Sequence, residues 1–183
     1  MSRIRYFAYG SNMLTARLER RCPSAAVLTT AVARNFSVGF HKRGLDASGK
    51  AALVAVNDAT AITFGTVFEI DAREIEQLDR TEGSGYRRLQ RFRVRCTRSG
   101  EVLQTHTYAA VEHHSDLVPY DWYLALVLAG IAEHGLGEAY ASRFRSLDSV
   151  HDRQLERPSR REALQVLSSA GIDDYRALLT ELA

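Results

Sequence analysis

Residues 6–13 read Tyr6-Phe7-Ala8-Tyr9-Gly10-Ser11-Asn12-Met13, and the change of pattern inside this string sets the architecture. Ile4 to Tyr9 is β-branched and aromatic, as in a strand. Gly10-Ser11-Asn12 interrupts it, and Met13 to Arg21, apolar at Met13, Leu14 and Leu18, reads as a short helix that Cys22-Pro23 stops. A strand that ends on Gly-Ser-Asn and opens a helix leaves several backbone N–H groups without internal partners, pointing together at whatever lies before the loop. Gly10 permits close approach of a ligand and Asn12 is a good helix cap, so the corner suits a carboxylate or a phosphate. Taken alone, the same three residues also describe an ordinary turn.

Working outward, Ala31 to Phe40 and Ala51 to Val56 read as strands flanking a polar connection that contains Gly44 and Gly49. Ala61 to Ile70 is a further strand. It runs into Asp71-Ala72-Arg73-Glu74, a capping-box pattern in which Asp71 caps a short helix and Glu74 reaches back. That helix turns Ile75 and Leu78 inward and delivers the chain to Thr81-Glu82-Gly83-Ser84-Gly85. Next comes a hairpin. Phe92, Val94 and Cys96 alternate with Arg91, Arg93 and Arg95, the chain turns at Ser99-Gly100, and Val102 to Val111 returns. Asp121 then precedes the apolar run Trp122 to Ile131, read as the main core helix and closed by Gly135. A short helix spans about Glu138 to Phe144. Ser159-Arg160-Arg161-Glu162 is a second capping-box pattern opening an amphipathic helix that Gly171 ends, and Asp173 can cap a last one.

Several short strands around one apolar helix predict an α+β domain with a small, mostly closed mixed sheet over residues 1–150 and a helical C-terminal extension over 151–183. The chain has 183 residues, 45% of them apolar, the size of one domain with a real core. Its 24 basic and 22 acidic residues balance too closely for charge alone to imply a nucleic-acid or membrane partner. No apolar run reaches membrane-spanning length and no signal peptide is evident, so a cytoplasmic location is expected. The two cysteines, Cys22 and Cys96, read as buried free thiols without metal-ligand spacing.

The string at residues 6–13, followed by Leu78-Asp79-Arg80-Thr81-Glu82-Gly83 and Tyr86, resembles the γ-glutamylcyclotransferase superfamily, which includes γ-glutamylamine cyclotransferases and AIG2-like proteins. Gly65-Thr66-Val67-Phe68 before the glutamate and Thr107-Tyr108 after it fit the same pattern, so that the likeness covers about residues 4–147. The resemblance implies a small mixed β-barrel with flanking helices. It implies that the loop amides of Gly10, Ser11, Asn12 and Met13, with Tyr9 and Tyr108 beside them, hold a γ-glutamyl group and that Glu82 is the general acid/base. The implied reaction closes the γ-glutamyl group to 5-oxoproline and frees an amine or amino acid. A carboxylate that must donate a proton at neutral pH is expected to be partly buried.

That chemistry asks for no enzymatic nucleophile, metal or cofactor, because the substrate's own α-amine attacks its own γ-carbonyl. Ser11 lacks a Gly-x-Ser-x-Gly context, and no His or Asp can be assigned as its partner. Adjacent His113 and His114 point to opposite faces of an extended chain and do not suggest a shared metal. Two other readings stand beside the enzyme. One is a non-catalytic binding module of the same fold; the other is a binder of nucleic acid or an acidic partner through Arg87 to Arg98, which alternation otherwise makes a solvated edge strand. The resemblance implies a small-molecule γ-glutamyl substrate, the balanced charge implies no nucleic-acid or membrane partner, and the extension is expected to pack on the domain or on a second subunit of a homodimer.

Overall fold

The computed structural model describes residues 2–180; Met1 and the last three residues of the extension, 181–183, lie outside the described residues. Strands β1 (Arg3–Ala8), β2 (Ala26–Arg34), β5 (Ile62–Asp71), β6 (Tyr86–Cys96) and β7 (Val102–Ala110) close into a barrel in the order β1-β5-β2-β6-β7. Strands β3 (Phe36–Arg43) and β4 (Gly49–Ala55) form a separate two-stranded sheet. β1 runs antiparallel to β5 from the Arg3–Asp71 pair to the Ala8–Thr66 pair, and β7 meets the other edge of β1 in parallel at Tyr6 and His106. The expected small mixed β-barrel with flanking helices is therefore present.

Among the described residues five α-helices flank the sheets: α1 (Thr15–Glu19), α2 (Ile75–Glu82), α3 (Asp121–Glu133), α4 (Glu138–Arg145) and α5 (Pro158–Ser169). Every residue of α3 from Asp121 to Ile131 is buried. A helix apolar on all sides can persist only when it is covered on all sides, and here the cover comes from α4, α5, the turn at Tyr175–Leu179 and the turn at Ser11–Met13. The C-terminal segment adds Ala163, Val166, Leu167 and Tyr175 to the core. Polar ties fix it there: the Tyr175 hydroxyl donates to Asp121 Oδ2 at 3.0 Å, and Trp122 Nε1 and Arg157 Nε donate to Asp152 Oδ2 at 3.1 and 2.7 Å. No helix of the described residues is long and apolar enough to cross a membrane.

Several local expectations give way to tertiary structure. The strand expected over Ala31 to Phe40 is two strands, because Asn35 takes a left-handed conformation (φ 62°) and turns the chain from the barrel into β3. The helix expected from Met13 begins later, at Thr15, after a 3-10 turn at Ser11–Met13. Asp71 does cap its turn by accepting from Arg73 N–H, but Glu74 reaches Ser24 Oγ at 2.6 Å instead of returning to the cap. Ser159 is not a cap either: α5 begins one residue earlier, with Pro158 in its first turn. The final 3-10 turn is capped by Asp174, whereas Asp173 accepts from Ser168 Oγ at 2.9 Å. In β6 the alternation holds, with Val94 and Cys96 buried and Arg93 and Arg95 exposed. A bulge between Leu89 and Phe92 places Arg91 at φ 58°.

Gly130 of α3 faces the functional loop. A Cβ on it would stand 2.6 Å from Met13 Cβ and 2.7 Å from Leu14 N. Helix propensity alone would favour Gly130→Ala by roughly 1 kcal/mol, but overpacking against backbone costs about 1–3 kcal/mol. A net loss of stability is expected, and the midpoint of denaturant unfolding measures it.

Candidate active site

The end of β1, the loop after it and the end of α2 meet over a small cavity of about 30 Å³ lined by Tyr6, Tyr9, Gly10, Ser11, Asn12, Ala51, Glu82, Tyr86, Tyr108 and Tyr123. Both halves arrive on one strand pair: β1 delivers the loop, and its neighbour β5 leads into the 3-10 turn and then α2, which ends on Glu82. Tyr9, Gly10, Ser11, Asn12, Glu82 and Tyr108, all singled out from the sequence, are brought together here. Met13 is not. Its side chain is fully buried against Gly130, its N–H donates to Gly10 O at 2.9 Å, and its carbonyl contacts His134 Nε2 at 2.8 Å. The loop's outward amides are therefore those of Gly10, Ser11 and Asn12, which take no backbone partner among the described residues.

Gly10 is required by close approach. A Cβ there would come within 2.7 Å of Ala51 Cβ, so only glycine lets β4 wall the cavity at this point. Behind the loop, α3 holds it in place: Glu133 Oε2 accepts from Thr15 N–H at 2.9 Å, beside the His134 contact to Met13.

Asn12 is not a helix cap, as its position suggested, but the centre of a side-chain network. Its Nδ2 donates to Glu82 Oε1 at 2.8 Å and to the Tyr6 hydroxyl at 3.0 Å. Arg21 Nη1 donates to Asn12 Oδ1 at 2.8 Å and to Glu82 Oε1 at 3.0 Å. The Glu82 side chain is only 12% exposed, in line with the partial burial expected of it. Both of its hydrogen-bond partners lie on Oε1, and Oε2 takes no hydrogen bond from the described residues. A carboxylate held by one oxygen and open at the other can exchange a proton with a ligand without losing its orientation.

The five tyrosines form a rigid wall. Tyr9 donates to the Tyr108 carbonyl at 2.7 Å, Tyr86 to the Ala51 carbonyl at 2.6 Å, and Tyr123 accepts from Ala51 N–H at 3.1 Å. Tyr108 donates to Asp79 Oδ1 at 2.7 Å, and Arg88 Nε lies 3.1 Å from the same oxygen. Burial pushes all five phenols above the ordinary tyrosine range, and the charge of Glu82 adds in the same direction. They remain neutral dipoles at physiological pH.

Arg21, Tyr6 and Tyr123 complete the site without having been foreseen. Arg21 sits at the end of a short helix before Cys22-Pro23, a place where a basic residue ordinarily only complements the helix dipole. Nothing in its neighbours along the chain marks it as the partner of a glutamate 61 residues away.

Comparison with known proteins gives a consistent answer. The AIG2-like family model matches residues 63–144, a segment that contains Glu82 and Tyr108. The γ-glutamylcyclotransferases of Mus musculus and Homo sapiens are each 28% identical to this chain over 149 residues, covering 78% of this chain and 78% of theirs. Among solved structures, a γ-glutamyl cyclotransferase superposes with a TM-score of 0.80 at 23% identity, over 90% of this chain and 99% of the other. Barrel, flanking helices and sequence relatives agree, and all resemble those of the γ-glutamylcyclotransferase-like superfamily.

Proposed function

We propose that the chain is a γ-glutamylcyclotransferase that converts a γ-glutamyl amide to 5-oxoproline and releases the amine, with Glu82 as the single proton carrier. A cyclotransferase-like activity is supported by the relatives; because one fold serves many chemistries, the residue roles rest on the site itself. The observation that carries them is Glu82, which lines the cavity and is fixed through Oε1 by Asn12 and Arg21 while Oε2 takes no hydrogen bond from the described residues.

In the reaction the substrate's α-nitrogen forms a bond to its own γ-carbonyl carbon, the amide C–N bond breaks, and one proton passes from the α-nitrogen to the departing nitrogen. Water is not consumed. Ring closure of this kind draws on effective molarities of ~10⁵–10⁸ M once the substrate is folded, so the main work of the protein is conformational. The amides of Gly10, Ser11 and Asn12 fix the γ-glutamyl group and face the charge that develops on the carbonyl oxygen, a contribution of about 10²–10³-fold in rate per donor. Glu82 Oε2 accepts the proton from the α-nitrogen and returns it to the leaving nitrogen. The tyrosine wall keeps the cavity tight and contributes uncharged O–H dipoles.

The direct test is 5-oxoproline formation from γ-glutamyl-alanine by the purified chain, followed with release of free alanine. Equal amounts of the two products are expected. Free glutamate in place of 5-oxoproline would mean hydrolysis by water and would overturn the cyclisation.

A further inference from the structure

The cavity opens past Glu82 into a groove that shares Ser11, Glu82, Tyr86 and Tyr123 with it. Five cationic side chains line this groove, Arg17, Arg21, Lys42, Lys50 and Arg80. Three carboxylates oppose them, and each is already engaged. Glu82 holds Arg21 at 3.0 Å, Asp46 holds Lys50 at 2.8 Å, and Glu162 lies 3.7 Å from Arg17.

Arg80 has only the neutral Gln77 Oε1 at 3.0 Å and no ion partner among the described residues, and nearer the cavity Lys42 and Arg17 also keep unused capacity. Lys42 has no ion partner among the described residues and lies 4.9 Å over the Tyr86 ring, at the junction of cavity and groove. Arg17 is 8% exposed, donates through Nε to Ser11 Oγ at 3.2 Å, and has a buried Nη1 with no hydrogen-bond partner. That nitrogen faces only Glu162 Oε1 at 3.7 Å, beyond hydrogen-bond distance, so a bound anion supplies the acceptor it lacks. Lys50, between them, feels both as like charges; burial first, then these neighbours, draw it down to about 8.

We propose that the groove receives the leaving-group half of the substrate and selects an acidic amino acid, whose two carboxylates are met by Arg17 and Lys42. This rests on the cyclotransferase reading of the adjoining cavity. A γ-glutamyl conjugate threaded from the loop past Glu82 places its leaving nitrogen beside the carboxylate and its remaining charges in the groove. Glu162 on α5 forms part of the far wall, so the C-terminal segment helps define what fits.

The test compares γ-glutamyl-glutamate, γ-glutamyl-alanine and γ-glutamyl-butylamine, first by kcat/KM for 5-oxoproline release and then by calorimetric binding to Glu82→Gln. The acidic conjugate is expected to exceed the butylamine conjugate by at least about tenfold, with the preference falling as salt is raised. Lys42→Met keeps the aliphatic stem over Tyr86, and in it the ratio should collapse toward one; Arg17→Met, whose buried site carries more folding risk, should act in the same direction. Turnover of all three substrates at similar rates, unaltered in ratio by Lys42→Met, would overturn the groove and leave the cyclotransferase reading standing. Selective binding of γ-glutamyl-glutamate without any turnover would do the reverse. Absence of both would overturn both.

Discussion

Glu82→Gln is expected to lower 5-oxoproline formation by about 10²–10⁴-fold, the range that a positioned proton carrier contributes. Glutamine preserves the shape of the side chain, and its carbonyl can still accept from Asn12 and Arg21, which both bond Glu82 Oε1 in the native chain. What it cannot do is take a proton on the second oxygen and return it. The loss should therefore appear in kcat with little change in KM, since the loop amides and the tyrosine wall are untouched. A circular dichroism spectrum matching the parent establishes that the barrel is intact. A variant that keeps roughly a tenth of the parent rate would remove Glu82 from its role.

The second large effect concerns alkaline pH. The chain should unfold cooperatively as pH rises above 10, and five phenols should ionise in that same step. Tyr6, Tyr9, Tyr86, Tyr108 and Tyr123 all hold their protons above the ordinary value of 10.0 because they are buried. Below pH 10 the phenols are neutral in both folded and unfolded chains, and the stabilisation is fully present. Above it the unfolded chain loses protons that the folded chain keeps, so each phenol withdraws about 1.4 kcal/mol of stability per pH unit. Lys50 acts oppositely. Burial draws it down to about 8 from the ordinary lysine value of 10.5, so its contribution to stability improves with pH between those limits. One lysine cannot offset five tyrosines above pH 10. Phenolate absorbance followed beside circular dichroism measures this; a gradual titration of all the tyrosines with the dichroism unchanged would contradict it.

Much of the fold was legible because the strongest signals were local. The alternation in β6 and the all-apolar run of α3 each report burial directly, and the elements found there match the pattern. The split at Asn35 was not legible, since a single residue in a left-handed conformation leaves hydrophobic periodicity on either side intact. Both capping boxes were wrong in detail for one reason: Glu74 and Ser159 had other places to go, set by Ser24 and by Pro158. At the site, the loop and Glu82 could be named because they lie in a distinctive string and in register with it. Arg21, Lys42 and Arg17 could not, because their importance comes from what faces them across the groove and not from their neighbours in the chain.

The way α3 backs the loop also sets an order of events during synthesis. A nascent chain that has emerged only as far as β7 already holds Tyr9 to Asn12 and Glu82. It lacks Glu133 and His134, which anchor the start of α1 and Met13. It also lacks α5, with the last wall of the groove. The residues proposed to carry the chemistry are thus made before α3, whose end backs the loop. On the proposed reading, turnover waits until the core helix has left the exit tunnel and docked.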